Sequence, residues 1–170
     1  MEKEIARLAR AGKKGIIIDT NLLVIYLVGL YRKELVKDFV TSSAYLPEDF
    51  EIVRALMHKY KFEKCIVTPH ILTEVSNLTF DHFKQPGREE YVRRAIGFIK
   101  ASLEHDANKD QLINTHHLPK LGFADSSIVE VAKKHGYLVL TEDFLLAKTL
   151  ADERCLSLNI NHIRMYVLGK

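Results

Sequence analysis

Short β-branched runs alternate along this chain with longer stretches whose apolar positions recur at helical spacing. The run Gly15-Ile16-Ile17-Ile18-Asp19 is apolar at consecutive positions. That pattern predicts a strand buried on both faces, as in a parallel sheet. Cys65 to Thr68 and Tyr137 to Thr141 predict two more strands, residues 111–114 a weak third in chain order, and Cys155 to Leu158 a last one. Between them the spacing predicts helices. Residues 2–11 carry Ile5 and Leu8 on one side, ahead of a basic turn at Lys13-Lys14 framed by Gly12 and Gly15. Leu22 to Leu30 is apolar nearly all round, which suits a core helix.

Residues 31–62 read as entirely helical, in two segments. Pro47 stands at the first position of the second, and Phe50, Val53, Leu56, Met57 and Tyr60 follow the helical period. Pro69 opens a helix to about Phe80, and Asp81 to Gly87 is a loop. Glu89 to about His105 reads as one long helix with Tyr91, Val92, Ala95, Ile96, Ile99 and Leu103 inward. Leu121-Gly122 punctuates before a helix from Ala124 to His135, which Gly136 ends. Another helix follows from about Asp143 to Ala151. Strands alternating with helices imply a parallel α/β sheet covered on both faces. No repeat or linker divides the chain, so residues 1–170 are expected to form a single domain.

Composition narrows the reading. Hydrophobic residues are 47% and charged residues 28%, which excludes a disordered chain. The net charge of +3 neither requires nor excludes a nucleic-acid partner. Two cysteines are too few for a disulfide framework. The apolar stretch after Asn21 is too short for a membrane span of ~20 residues. These features together suggest a soluble protein of a reducing, cytoplasmic compartment, with no membrane partner.

The informative polar residues are acids at strand ends. In open parallel sheets, ligands bind beyond the carboxyl ends of the strands. Asp19 ends the first strand, Asp143 follows the strand 137–141, Asp125 lies at a helix start, and Glu74 sits in the second turn of the helix after strand 65–68. Each has an ordinary explanation as a cap, a first-turn acid or a solvated helix residue. Glu142 reads as such a residue, pointing away from any cleft. Yet Asp19 and Glu74 are embedded in IIIDTNLLVI and PHILTEVSNL, where a free carboxylate is costly. Clustered carboxylates without paired His or Cys suit Mg²⁺ or Mn²⁺, ions that activate water for attack on phosphorus.

Four short patterns carry a resemblance. They are Ile16-Ile17-Ile18-Asp19-Thr20-Asn21, Thr73-Glu74-Val75, Ala124-Asp125-Ser126-Ser127-Ile128 and Leu138-Val139-Leu140-Thr141-Glu142-Asp143-Phe144. In this order they resemble the PIN-domain family across nearly the whole chain. The resemblance implies a three-layer α/β/α fold with strand order 3-2-1-4-5 and metal-dependent hydrolysis of RNA. It implies that Asp19, Glu74, Asp125 and Asp143 bind the metal and serve catalysis, with Thr20, Asn21 and Thr141 as hydrogen-bonding support. Small relatives include toxins of toxin–antitoxin pairs, so an antitoxin protein is a candidate partner. The longer helical segment at 31–62 and the lack of a helix in 111–123 depart from those toxins. A catalytically idle PIN-like module that binds RNA or protein is the alternative.

Other chemistry fits less well. Asp19-Thr20-Asn21 is not the Asp-x-Asp of an aspartyl-phosphate enzyme. His116-His117 lacks a zinc spacing and reads as a loop pair. Arg88, Arg93 and Arg94 are the basic residues chosen to meet an RNA backbone. Residues 31–62 are chosen as a partner surface, for instance for a homodimer.

Cys65 and Cys155 begin the second and last strands. In the order 3-2-1-4-5 that places them roughly 14 Å apart, at about 4.8 Å per strand, too far for a disulfide. Thiol titration of the unreduced, unfolded chain is expected to find both thiols free. Titration of neither would contradict the strand order.

Overall fold

A computed structural model describes residues 2–38, 45–59, 64–84 and 87–167. It contains a five-stranded, all-parallel sheet of β1 (Ile16–Ile18), β2 (Cys65–Val67), β3 (Leu103–Glu104), β4 (Leu138–Thr141) and β5 (Leu156–Asn159). The strand order is β3-β2-β1-β4-β5, as expected, in a three-layer α/β/α arrangement. From β1 the chain steps outward through β2 to β3, then crosses back and steps outward through β4 to β5. Right-handed crossovers in opposite directions put helices on both faces.

β1 is central and short, with all three isoleucines buried. α2 (Thr20–Tyr31) follows it and buries Leu22, Leu23, Val24, Ile25, Leu27 and Val28. Twelve residues span only about 18 Å, so this apolar helix is a core element. Among the described residues, no helix is long and apolar enough to cross a membrane. α2 packs against α3 (Pro47–Lys59), α4 (Pro69–Phe80) and α5 (Gly87–Ala101). On the other side of the chain, α7 (Leu118–His135) packs with α6 (Lys109–Leu112) and α8 (Phe144–Asp152).

Several sequence expectations are corrected. The first helix, α1 (Glu2–Lys14), runs through Gly12 and Lys13-Lys14 to stop at Gly15. Residues 31–62 are not entirely helical: Arg32 is extended, the first expected segment is a short 3-10 helix at Lys33–Asp38, and the second is α3, opening at Pro47 as expected. Residues 39–44 and 60–63, with Tyr60, lie outside the described residues. The long helix ends at Ala101, not near His105, and the third strand is Leu103–Glu104. That strand joins the sheet through its backbone with both side chains exposed, so no burial pattern announces it. Leu103 and Ile96, expected inward, are exposed. Residues 111–114 belong to helix α6 and its turn, and α7 begins at Leu118, so 111–123 does contain helix. Gly122, at φ 74° and ψ −178°, breaks α7 just before Ala124, where punctuation was expected. Gly136 caps α7 in the left-handed conformation. A last helix, α9 (Ile160–Val167), was not foreseen. Cys65 and Cys155 are both free thiols.

α2 and α3 approach closely at Gly29, where an added Cβ would lie 2.2 Å from Phe50 Cδ2 and 2.4 Å from its Cγ. Phe50 is buried and cannot swing aside. Gly29→Ala is expected to destabilise the protein by about 1–3 kcal/mol through overpacking. Gly97→Ala, in exposed α5 with nothing near the new methyl, is expected to stabilise by roughly 0.5–1 kcal/mol. Urea titration of both variants checks the pair. Equal effects would mean that α2 and α3 are not held at this distance.

Candidate functional site

β1, β2 and β4 end together at the carboxyl edge of the sheet, where helices α2, α4 and α8 begin. Asp19 leaves β1 and enters this edge 4% exposed. Its N–H still donates to Leu140 O, which extends the ladder to β4. Its Oδ1 accepts from Leu22 N at 2.9 Å and so caps α2. Its Oδ2 accepts from Thr141 Oγ1 and from Glu142 N. Even with three donors, burial pushes the Asp19 carboxyl up to about 6, with Asp143 adding a small repulsion.

The other acids surround it. Asp143 caps α8 through Oδ1, which accepts from Leu145 N and Leu146 N. Its own N–H donates to Thr141 Oγ1 at 2.9 Å, so one hydroxyl links Asp19 to the Asp143 backbone. Glu74, on the second turn of α4, accepts from Thr20 Oγ1 at 2.9 Å through Oε2. Asp125 follows the break at Gly122. The start of its helix is tied to the end of β2, because Thr68 Oγ1 and Ser127 Oγ lie 2.8 Å apart. Burial pushes Asp125 up to about 7, and the charges of Asp19, Asp143 and Glu74 each add to that. Asp19, Asp143 and Glu74 therefore all lie within electrostatic reach of Asp125, and Asp143 within reach of Asp19.

Of the supporting residues, Thr20 and Thr141 bond directly to the acids, and Asn21 lies half-buried in the first turn of α2. The cap reading and the cluster reading of Asp19 and Asp143 coexist, because a carboxylate has two oxygens. Among the described residues, no three of the acids bring ligand oxygens within 4.8 Å of one another. An ion here would have at most two direct carboxylate ligands and keep several waters, the habit of Mg²⁺, unless the side chains draw in.

Glu142 corrects the expectation that it points outward. It is 6% exposed, accepts from Tyr45 Oη, and faces Arg164 Nη1 at 3.4 Å. Arg164 Nε also binds Asp49 Oδ1 at 2.6 Å, which ties α9 and α3 to the site. Burial and the charge of Asp19 push Glu142 up to about 7 against the pull of Arg164. Local sequence gave no sign of this, because its partners lie on α9 and in the segment ahead of α3.

The arginines chosen for RNA behave differently from one another. Arg88 donates from Nε to Phe83 O and from Nη2 to Phe80 O, which fastens the turn after α4. Arg94 pairs with Glu90 on its own helix. Arg93 is exposed on α5. Sequence reasoning also passed over two exposed aromatics beside the acids. Phe123 is 51% exposed and Phe144 is 66% exposed, two residues before Asp125 and one after Asp143. Phe123 stacks on His70 with an 8° interplanar angle. Both line a cavity of about 410 Å³ with Pro69, Thr73, Glu74 and Asn77.

Fold and site together define a class by geometry: an all-parallel α/β protein with the buried carboxylate of Asp19 and three less buried acids around it at the carboxyl edge of the sheet. No family model matches the chain, no curated protein matches it, and no solved structure matches it.

The raised carboxyls set a pH dependence. Between about pH 4 and pH 7 the folded protein holds protons on Asp19 and Asp125 that the unfolded chain has released. Stability from these groups therefore falls as pH rises through that window and is lowest above it. In chelator, Asp125→Asn is expected to melt several degrees higher than wild type near pH 8. The gap should narrow toward pH 5 and close near pH 4. Thermal melts across this range check it, and a gap independent of pH would contradict the burial of that charge.

Proposed function

We propose that the protein is an Mg²⁺- or Mn²⁺-dependent endoribonuclease of PIN type. The observation that carries the reading is the gathering of acids at the carboxyl edge, where Thr141 Oγ1 joins Asp19 to the Asp143 backbone and Glu74 reaches Thr20 beside Asp19; burial and the charges of these three push the Asp125 carboxyl up to about 7. Such a cluster binds either protons or a cation at neutral pH. A divalent ion held there would supply an activated water and stabilise charge on a leaving oxygen. The chain's own residues position it. Thr141 and the Glu142 N–H fix one face of Asp19, and Thr20 orients Glu74.

Exposed Phe123 and Phe144 beside the acids favour a single-stranded nucleic acid, whose bases stack on such rings at about 1–3 kcal/mol each. Of the arginines, Arg93 suits a phosphate contact best, since Arg88 and Arg94 already have partners. A toxin role with an antitoxin partner, and a homodimer through the 31–62 surface, belong to the same proposal. The spacing of the oxygens favours a second reading, an idle PIN-like module that binds RNA without cleaving it.

Incubation of single-stranded RNA with Mn²⁺ separates the two. Wild type is expected to cleave internally. Asp19→Asn and Asp125→Asn are expected to lose at least about a hundredfold in rate, as when a transition-state charge loses its partner. Phe123→Ala should weaken binding more than it slows the bound reaction. In melts, Mn²⁺ at a hundredfold excess over Kd should stabilise wild type by about 2.7 kcal/mol, and Asp19→Asn by much less. RNA binding with no cleavage in either ion would establish the idle module instead.

A further inference from the structure

The histidine pair lies in the turn ahead of α7, as its loop reading from sequence implies, but one of the two is buried there. His117 is 4% exposed and stands at the N-cap of α7 without capping it. Both of its ring nitrogens are buried with no hydrogen-bond partner. That position favours Ser, Thr, Asp or Asn, so helix capping does not explain the residue. An unpaired buried polar group costs about 1–3 kcal/mol, and such groups are rare without a further role.

Two other groups approach the same point. His116 Nε2 lies 3.6 Å from Glu153 Oε1, and His117 Nε2 lies 3.8 Å from Glu130 Oε1. These gaps are too long for hydrogen bonds. They are close to the separation of two ligands on one tetrahedral ion, roughly 3.3 Å for bonds of about 2.0 Å. Ligand atoms of His116, His117 and Glu153 all lie within 4.8 Å of one another, the one such trio among the described residues.

We propose that His116, His117 and Glu153 bind one transition-metal ion of the Zn²⁺ class, which clips the turn ahead of α7 to the turn between α8 and β5. Imidazole nitrogens with a single carboxylate select Zn²⁺ over Mg²⁺. Neither His117 ring nitrogen is engaged in a hydrogen bond, which leaves a lone pair open to an ion. Lys133 Nζ holds Glu153 Oε2 at 2.6 Å, which leaves Oε1 toward His116. Glu130 adds a second negative charge that offsets the lysine. His116 is 78% exposed, which leaves the ion an entry path.

The site is separate from the acids. Asp143 precedes α8 and Glu153 follows it, and nine helical residues span about 14 Å. Zn²⁺ binding therefore stands or falls independently of RNA cleavage.

The test is Zn²⁺ calorimetry and Co²⁺ absorption on untagged full-length protein, in wild type and in Asp125→Asn to silence the acid site. One Zn²⁺ per chain is expected in both, with the intense visible bands of tetrahedral Co²⁺. His116→Ala and Glu153→Gln alter exposed or half-buried positions and should fold. Each is expected to weaken Zn²⁺ at least about tenfold, since even outer-shell changes cost that much. Wild-type affinity in both variants, weak octahedral Co²⁺ bands, or no Zn²⁺ bound by wild type would each overturn the site.

Discussion

Asp19 places a carboxylate at the end of the fully buried central strand, and its neighbours are arranged around that fact. A charge in such surroundings is costly unless donors or a cation compensate it. Three donors reach it, from Leu22 N, Thr141 Oγ1 and Glu142 N, and burial still dominates. Two of these donors come from the end of β4, so the acid joins β1 to β4 beyond the last ladder bond. The same contacts turn the chain at Glu142 and send Asp143 to the start of α8. The position of the whole carboxyl edge follows from satisfying one buried group.

The cost spreads to a second layer. Glu142 is drawn inside and needs a cation, which Arg164 supplies from α9. Arg164 in turn meets Asp49 at the start of α3. Asn159 and Asn161 both donate to Glu142 O and hold the same turn from β5 and α9. A chain of polar contacts thus runs from the central strand to the last helix. Breaking one partner of such a buried pair is more damaging than replacing both by apolar groups.

α8 separates two kinds of ligand chemistry. At its start stand oxygen donors, suited to hard ions. At its end Glu153 meets the two imidazoles of the turn ahead of α7, a mixed nitrogen and oxygen set of the kind softer ions prefer. The fold permits both because parallel sheets expose two edges, one where helices begin and one where they end.

The sequence by itself determined the parallel α/β class, the central Ile16–Ile18 strand, the break in α7 at Gly122 and its end at Gly136, and the acids Asp19 and Asp143 that follow β1 and β4. These are legible because they depend on local rules: consecutive burial for inner strands, glycine where φ is positive, and carboxylates at strand ends. The strand order came from the resemblance of the motifs. Tertiary structure alone decided the two-residue β3, which pairs through its backbone and shows no side-chain pattern. It also decided the burial of Glu142 and of His117. Their partners, Tyr45 and Arg164 for one and Glu130 and Glu153 for the other, are brought close only by packing. A polar side chain's environment is set by whatever the fold lays against it, and neighbours along the chain carry no record of that.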